Sequence, residues 1–376
     1  QVTFLNSIFE SISGLTGTGF SIFKDIKYLD PTLILWRSSS QWIGGLFFLF
    51  FLIIIFSNKS FNYKMTNLTY SGDNNFNSEN NIKDNLIRIF IIYSLLSISI
   101  LSLLNLSGVR LFNSLNLSMT LVSGGGFLPT ETIGKIISSN FQKIILIFSF
   151  LVSLLNLYLL FNIFNKNTLI KEHKEDLYLI VISIVFCSLI YFNNYDGLDI
   201  IISVTSSLAN SGLTIMESDN NLSLYFLLLS IIGGSIVSNS SGIKLTRFYI
   251  LLKITSSEII KLISPNSIIN KTIFGSDKKI SDEHVKISFL IFISFFLSLF
   301  ILSSLLVVDN IGFEKSFKLS ILTLTNTVNS EMFNMQNINF SNLLTSSKIS
   351  LILFMIIGKI ELISIFLIFK KILFKD

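Results

Sequence analysis

The chain has 376 residues, of which 51% are hydrophobic and 14% charged, and its mean hydropathy of +0.69 excludes an ordinary soluble globular protein. Its one cysteine, Cys187, excludes a disulfide scaffold, and two histidines are too few for a histidine metal site or a histidine-centred triad. The formal net charge of +5 comes mainly from Lys and Arg residues in loops between apolar segments, which indicates membrane orientation and argues against nucleic acid as a partner. The composition predicts an all-α protein that crosses a lipid membrane several times.

Two kinds of apolar segment alternate along the chain. A bilayer core of about 30 Å requires roughly 20 helical residues, and the predicted spanning segments are 42–56, 87–106, 144–164, 177–192, 222–237, 285–308 and 349–369. Four shorter segments are rich in Ser, Thr and Asn and run into polar or glycine-bearing peptides: 7–16, 112–122, 199–208 and 317–327. These shorter segments are typical of re-entrant helices, although any one of them alone could be an amphipathic surface helix.

The two kinds of segment recur in one order: a spanning helix, a short helix, a polar peptide and a second spanning helix. We expect four such pore repeats, at residues 1–57, 86–165, 174–263 and 284–376, with a cytoplasmic loop at 58–85. The first repeat begins within its short helix, so we expect its first spanning helix to be missing. Lys and Arg residues concentrate in the connections between repeats, which predicts that the short helices enter from the outer face.

Four re-entrant peptides predict a shared central cavity, because irregular backbone at membrane depth is tolerated only inside protein or beside water. The C-terminal end of each short helix carries a partial negative charge that favours a cation, and carbonyl rings can replace the hydration shell of an ion. For a glycine peptide in any one copy, a tight turn between helices is the commoner explanation, and the repetition after equivalent short helices favours the filter. The candidate ion-binding residues are Thr16, Gly17, Thr18, Gly19, Ser123, Gly124, Gly125, Gly126, Asn210, Ser211, Gly212, Asn326, Thr327, Val328 and Asn329.

A run of small residues from 233 to 242 predicts an intramembrane gate, since only Ile236 and Val237 are bulky there and an unwound loop could flex across a pore. The alternative is a helix end entering a basic cytoplasmic loop. Lys359 and Glu361 lie deep in an apolar segment, where a lone cation costs about 2.5 to 3.5 kcal/mol. We expect Lys359 to lie below the filter and pair with the gate, or to form a structural contact with Glu361. The candidate gate residues are Gly233, Gly234, Ser235, Ser238, Asn239, Ser240, Ser241, Gly242 and Lys359.

Several peptides resemble one known family. Phe9-Glu10-Ser11-Ile12-Ser13-Gly14-Leu15-Thr16-Gly17-Thr18-Gly19-Phe20, followed by Trp36-Arg37-Ser38 and Gln41-Trp42-Ile43-Gly44-Gly45, is similar to the first pore repeat of the Trk/Ktr family of potassium uptake proteins. Further similar peptides are 123–127 and 209–213 for the second and third filters, 232–244 for the intramembrane loop, and 358–361 for a Gly-Arg-Leu-Glu motif of the last helix. The resemblance covers essentially the whole chain in order. For Glu10, Trp36 and Arg37 we expect packing or anchoring roles.

The resemblance implies potassium uptake across the bacterial cytoplasmic membrane through a four-repeat selectivity filter with an intramembrane gate. Potassium would be the substrate, with no cofactor and no enzymatic activity. It also implies a homodimer and a cytosolic nucleotide-binding regulatory subunit of the TrkA or KtrA type. The basic segments 244–286 and 370–375 could meet such a partner.

Two departures from the family pattern keep other functions open. The fourth filter peptide, 325–330, has Asn329 where glycine is expected, and Lys359 replaces the usual arginine. Asparagine adopts left-handed backbone angles more readily than most residues, so a filter geometry remains compatible. The alternatives are a sodium-permeable or weakly selective cation pathway and a non-conducting membrane subunit. An intramembrane enzyme ranks last, because Glu361 is the one obvious deep carboxylate.

Overall fold

The computed structural model describes residues 3–23, 25–57, 82–157, 159, 174–192, 195–216, 222–267, 271–274, 279–335 and 338–360. Within these residues, twelve α-helices form the main secondary structure. They are α1 (Phe4–Thr16), α2 (Pro31–Ser57), α3 (Ile82–Leu106), α4 (Leu111–Ser123), α5 (Asn140–Leu154), α6 (Lys174–Tyr191), α7 (Gly197–Leu208), α8 (Ser223–Ile232), α9 (Leu245–Ile263), α10 (Asp282–Val308), α11 (Phe313–Leu324) and α12 (Thr345–Ile360). The predicted all-α fold class is confirmed. Glu361 and the basic segment 370–375 lie outside the described residues, as does most of the predicted loop 58–85.

Three of these helices are long and apolar enough to cross a membrane: Pro31–Ile54 within α2, Lys83–Leu106 within α3, and α10. Large apolar side chains on their outer surfaces remain exposed, including Leu95 and Ile98 at 60% and 61%. An apolar exposed surface of this kind suits lipid and not water. The chain is a multi-pass membrane protein.

The predicted spanning segment 222–237 is interrupted in the structure. Helix α8 ends at Ile232, where Gly233 adopts a φ of 67° that an L side chain rarely tolerates. The chain then runs without an α-helix until α9 begins at Leu245. This break places residues 233–244, which we call the intramembrane loop, among the packed helices, and its residues from Gly233 to Ser241 are all buried.

Four short helices, α1, α4, α7 and α11, have 12 or 13 residues each and match the predicted re-entrant segments closely. Helix α11 ends at Leu324, three residues before the predicted end, because Asn326 leaves the helical region with a φ of 49°. Each short helix packs against the helix that precedes or follows it: α1 on α2, α4 on α3 and α5, α7 on α6 and α8, and α11 on α10 and α12.

Contacts between repeats close the assembly into a ring. Helix α2 packs on α4, α5 on α7, α8 on α11, and α12 returns to α1. Aromatic packing reinforces the last junction, since the rings of Phe20 and Phe340 stack with centroids 4.7 Å apart. The C-terminal ends of the four short helices therefore meet around one axis, and the peptides that follow them meet at its centre.

Candidate cation pathway

The four peptides that follow the short helices share one backbone feature. The residue directly after each helix end or one position later is left-handed: Gly17, Gly124, Asn210 and Asn326 have φ values of 77°, 68°, 58° and 49°. Glycine and asparagine are the residues that adopt this region most readily, which explains their choice here. We refer to residues 16–19, 123–126, 209–212 and 325–328 as the four filter peptides, and to this position as their second residue.

The fourth residues of the filter peptides converge. A Cβ added to Gly19 would lie 2.9 Å from Gly126 Cα and 3.1 Å from Val328 Cγ2, and one added to Gly126 would overlap Val328 Cβ. Counting from the left-handed residue, Val328 corresponds to Gly19, Gly126 and Gly212. The sequence interpretation placed Asn329 at this position, which is one residue too late. Asn329 instead donates its side-chain amide to the Met335 carbonyl at 3.2 Å.

Hydrogen bonds link each filter repeat to its neighbours. They connect the fourth repeat to the first, the first to the second, the third to the second and the third to the fourth. Between the fourth and first repeats, Asn326 Nδ2 donates to Thr18 Oγ1 at 2.9 Å, and between the second and first, Phe127 N donates to Gln41 Oε1 at 3.2 Å. In the third repeat, Ser211 Oγ donates to the Gly125 carbonyl of the second at 2.7 Å, and Asn210 Nδ2 donates to Thr327 Oγ1 of the fourth at 3.3 Å. Three of these bonds join filter peptides directly, whereas the link from the first repeat to the second runs from Gln41 of α2 to Phe127, just after the second filter peptide. Each filter peptide takes part in at least one of the direct bonds, so outward movement of any of them would break such a bond.

Gln41 was not singled out from the sequence, although it lies in the peptide that resembles the family. Its side chain lies so close to Gly125 that a Cβ added there would overlap it. The available signal was the polar run from Arg37 to Gln41 within a spanning helix, since polar groups at that depth face the protein interior.

A buried ion pair supports the first filter peptide from behind. Arg37 Nε donates to Glu10 Oε1 at 2.8 Å, and the two side chains are only 2% and 3% exposed. Glu10 also accepts hydrogen bonds from Ile22 N at 2.8 Å and Ser21 Oγ at 3.1 Å. The guanidinium of Arg37 lies 4.1 Å from the ring centroid of Phe127, just after the second filter peptide. These contacts agree with the anchoring role expected for Glu10 and Arg37, whereas Trp36 is 43% exposed.

The intramembrane loop lies against the filter peptides. Asn239 Nδ2 donates to the Val122 carbonyl, next to the second filter peptide, at 2.8 Å. Lys359 Nζ donates to the Asn239 carbonyl at 3.0 Å, and a Cβ added to Gly17 would lie 3.7 Å from this ammonium. The ammonium also lies 4.7 Å from the centroid of the Phe48 ring. Lys359 therefore lies between the first filter peptide and the loop.

Hydrogen bonds within the loop and to its neighbours fix the other candidate gate residues. Lys244, with a φ of 76°, donates to the Ser240 carbonyl and to Ser238 Oγ at 3.3 Å. Further hydrogen bonds within the loop join Gly234 N to Ser240 Oγ at 3.0 Å and Ser238 Oγ to Ser240 Oγ at 2.7 Å. Two others join the loop to its neighbours: Ser235 N donates to the Leu154 carbonyl at 3.1 Å, and Ser241 Oγ donates to Asn326 Oδ1 at 3.0 Å. Gly233 and Gly242 also have positive φ values, of 67° and 82°.

Glu175 is a further residue that sequence reasoning missed. It accepts hydrogen bonds from Thr246 Oγ1, just after the loop, and from Ile236 N within the loop at 3.5 Å. Its position at the start of α6 suggested an ordinary acidic residue in a first helical turn. Its side chain is instead buried, at 2% exposure, and its hydrogen bonds to Thr246 and Ile236 hold the loop in place.

A cavity of about 440 Å³ opens above the filter peptides. Gly19, Gly126 and Val328 form its floor, and Glu131 and Glu331 are among the residues that line it.

Two buried amide oxygens, Asn210 Oδ1 and Asn239 Oδ1, have no hydrogen-bond partner within the described part of the chain. The described residues contain no cluster of three His, Cys, Asp or Glu side chains that could hold a resident metal ion.

Short helices that end at a shared polar centre, surrounded by a ring of apolar helices, define a multi-pass membrane protein built from four repeats around one axis. No protein-family model matches the chain. It is 24% identical over 99% of its length to an uncharacterized cation transporter of Methanocaldococcus jannaschii, of which it covers 77%. It is 26% identical over 98% of its length to the Trk system potassium uptake protein TrkG of Escherichia coli, of which it covers 79%.

The fold agrees with these relatives. The crystal structure of the potassium transporter TrkH from Vibrio parahaemolyticus superposes with a TM-score of 0.86, at 19% identity, over 98% of this chain and 78% of that one. The chain is therefore similar in sequence, over nearly its whole length, to a Trk system potassium uptake protein and to a cation transporter, and similar in fold to TrkH.

Proposed function

We propose that the protein takes up potassium ions across the bacterial cytoplasmic membrane through the four filter peptides. The observation that carries this proposal is the convergence of four peptides from the four repeats, linked by hydrogen bonds and each with a left-handed residue at its second position. Peptides in this conformation can direct carbonyl oxygens toward a common axis, where they replace the water around an ion. The names of the relatives support potassium as the ion, and the proposed ligands are carbonyls of the four filter peptides, 16–19, 123–126, 209–212 and 325–328.

The gate in this proposal combines the intramembrane loop with Lys359. A cation that leaves the filter inward would meet the positive charge of Lys359, which repels it more strongly inside protein than in water. The loop is bonded both to this ammonium and to the Val122 carbonyl. Opening therefore requires the Asn239 carbonyl to separate from Lys359 and the Asn239 amide to separate from the Val122 carbonyl.

The proposed partners are a second copy of the chain and a cytosolic nucleotide-binding regulatory subunit. Support for a cytosolic contact comes from the end of α9, where Leu262 and Ile263 are 85% and 78% exposed. Lys261 and Lys271 lie beside them, both paired with Glu258. Replacing Lys261 and Lys271 by Glu should weaken co-purification of a cytosolic regulator, and unchanged recovery would count against this contact.

Rubidium uptake in potassium-uptake-deficient cells tests the main proposal. We expect the full protein to support saturable uptake that resists competing sodium. Gly19→Ser should abolish uptake, because its φ of 78° and the 2.9 Å approach to Gly126 Cα leave no room for a side chain. Gly197→Ser is the matched control, since a Cβ added there meets nothing within 4 Å.

The same assay separates the alternatives. Uptake that sodium blocks as effectively as potassium does would indicate a weakly selective cation pathway. An absence of flux from correctly inserted protein would indicate a non-conducting subunit and would refute the proposal.

A further inference from the structure

We propose that Val328 forms an apolar constriction at the outer end of the filter and limits the rate at which cations enter it. This inference rests on the proposed function, because it assigns a rate-limiting residue to the same pathway. It concerns a difference among the four filter peptides of this chain. Three of them have glycine at the fourth position, whereas the fourth peptide has the branched side chain of Val328 there.

Val328 lies close to the three glycines at once, as the space beside each glycine shows. Its Cγ2 lies 3.1 Å from a Cβ added to Gly19, its Cγ1 lies 3.1 Å from one added to Gly212, and its Cβ would overlap one added to Gly126. These glycines belong to the three other repeats, and the four repeats surround one axis. A side chain that reaches all three others must lie across that axis.

The backbone explains why valine is tolerated at this position. Gly19 and Gly212 have φ values of 78° and 71°, which would strain a branched residue, whereas Val328 is not among the described residues with positive φ. Valine also has a stiff χ1, because two methyl groups on Cβ leave few favourable rotamers. Rotation about this bond cannot move both methyl groups away from the axis.

The chemistry of the side chain opposes ion binding. Methyl groups supply no oxygen ligand, so a cation at this level would lose water without replacement, and apolar constrictions close pores by excluding water. Val328 is 9% exposed and forms part of the floor of the outer cavity. It therefore separates that cavity from the proposed oxygen ligands at the first three positions of the filter peptides, and ion flow requires the side chain to be displaced.

The test compares Val328 variants of the full protein in liposomes by initial rubidium uptake. We expect Val328→Gly to raise the rate about tenfold or more and Val328→Ala to raise it less, since removing methyl groups removes the constriction. Val328→Ile should be no faster than the natural protein. Ile338→Ala, which also lines the outer cavity but lies away from the filter, is the matched control and should leave the rate unchanged.

The outcomes distinguish this inference from the proposed function. If the natural protein transports rubidium and Val328→Gly is no faster, the constriction is refuted while the proposed function stands. If the natural protein does not transport rubidium and Val328→Gly does, the constriction is supported and blocks the pathway almost completely. If neither transports, although both are monodisperse and inserted, both ideas are refuted.

A second measurement does not depend on the glycine variant folding. Val328→Cys in a Cys187→Ser background should react with a cationic methanethiosulfonate added outside, because the side chain lines the outer cavity. Modification should stop rubidium flux, and external potassium should slow the reaction. A cysteine that does not react, or that reacts without changing the flux, would overturn the inference.

Discussion

The ion pair between Glu10 and Arg37 gives the sharpest stability prediction. Both side chains are almost completely buried, and Glu10 accepts hydrogen bonds from Arg37, Ile22 and Ser21. Removing one partner of a buried pair leaves an uncompensated charge, which costs about 3 to 5 kcal/mol, whereas replacing both partners is often nearly neutral. We therefore expect Glu10→Gln and Arg37→Met each to destabilise the protein by about 3 kcal/mol or more, and the double variant to recover most of that loss.

The assay is the fraction of monodisperse protein left after heating in detergent, measured by size-exclusion chromatography. A loss of about 3 kcal/mol should lower the midpoint by roughly 6 °C or more, taking about 2 °C for each kcal/mol in a large domain. Lys135→Met is the matched control, because Lys135 pairs with Glu131 at an exposed position where ion pairs contribute little. A double variant as unstable as the sum of the single variants would refute the reasoning, since it would show that the two charges do not compensate each other.

Three further predictions concern the pathway and its surroundings. Lys359→Met should raise the initial rubidium uptake rate several-fold by removing the charge beneath the filter, and an unchanged rate would exclude Lys359 from the gate. Asn326→Gly keeps the left-handed backbone but removes three side-chain hydrogen bonds. We expect the free energy of unfolding to fall by about 2 to 4 kcal/mol, which heating in detergent would detect as a lower midpoint. An unchanged midpoint would show that these bonds contribute nothing to stability. Hydrogen bonds from the hydroxyls of Ser347 and Ser346 lower the pKa of Asp309, so its stabilising effect is present above the unfolded value and is lost as the pH falls through the lower folded value. Asp309→Asn should therefore reduce the difference in heat stability between pH 7 and pH 3, and an unaltered difference would contradict this assignment.

Hydropathy was sufficient to predict the alternation of long and short helices, because segment length and apolar content are local properties of the chain. The position of the fourth filter peptide was misassigned by one residue because glycine was taken as the marker. The structure shows that the left-handed second residue is the shared feature, and Asn326 satisfies it as Gly17 does. Counting from asparagine or glycine after each short helix would have placed Val328 correctly.

Pairing between distant residues could not be predicted in the same way. Glu10 and Arg37 are 27 positions apart, and Glu175 contacts Thr246 across 71 positions. Nothing local in the sequence selects one buried partner over another, because burial and pairing are set by how the helices pack. Charges at membrane depth need partners, and the fold determines which partners these charges have.

The four filter peptides are not equivalent, and the difference connects the filter to the loop. The first two have glycine at the left-handed position, which has no side chain to bond elsewhere. The third and fourth have asparagine: Asn210 Nδ2 donates to the Ser230 carbonyl at 2.7 Å, just before the loop, and Asn326 Oδ1 accepts from Ser241 Oγ near its end at 3.0 Å. The same two side chains bond to neighbouring filter peptides. A movement of either end of the loop must therefore strain these peptides, so the intramembrane loop and the four filter peptides form one hydrogen-bonded unit.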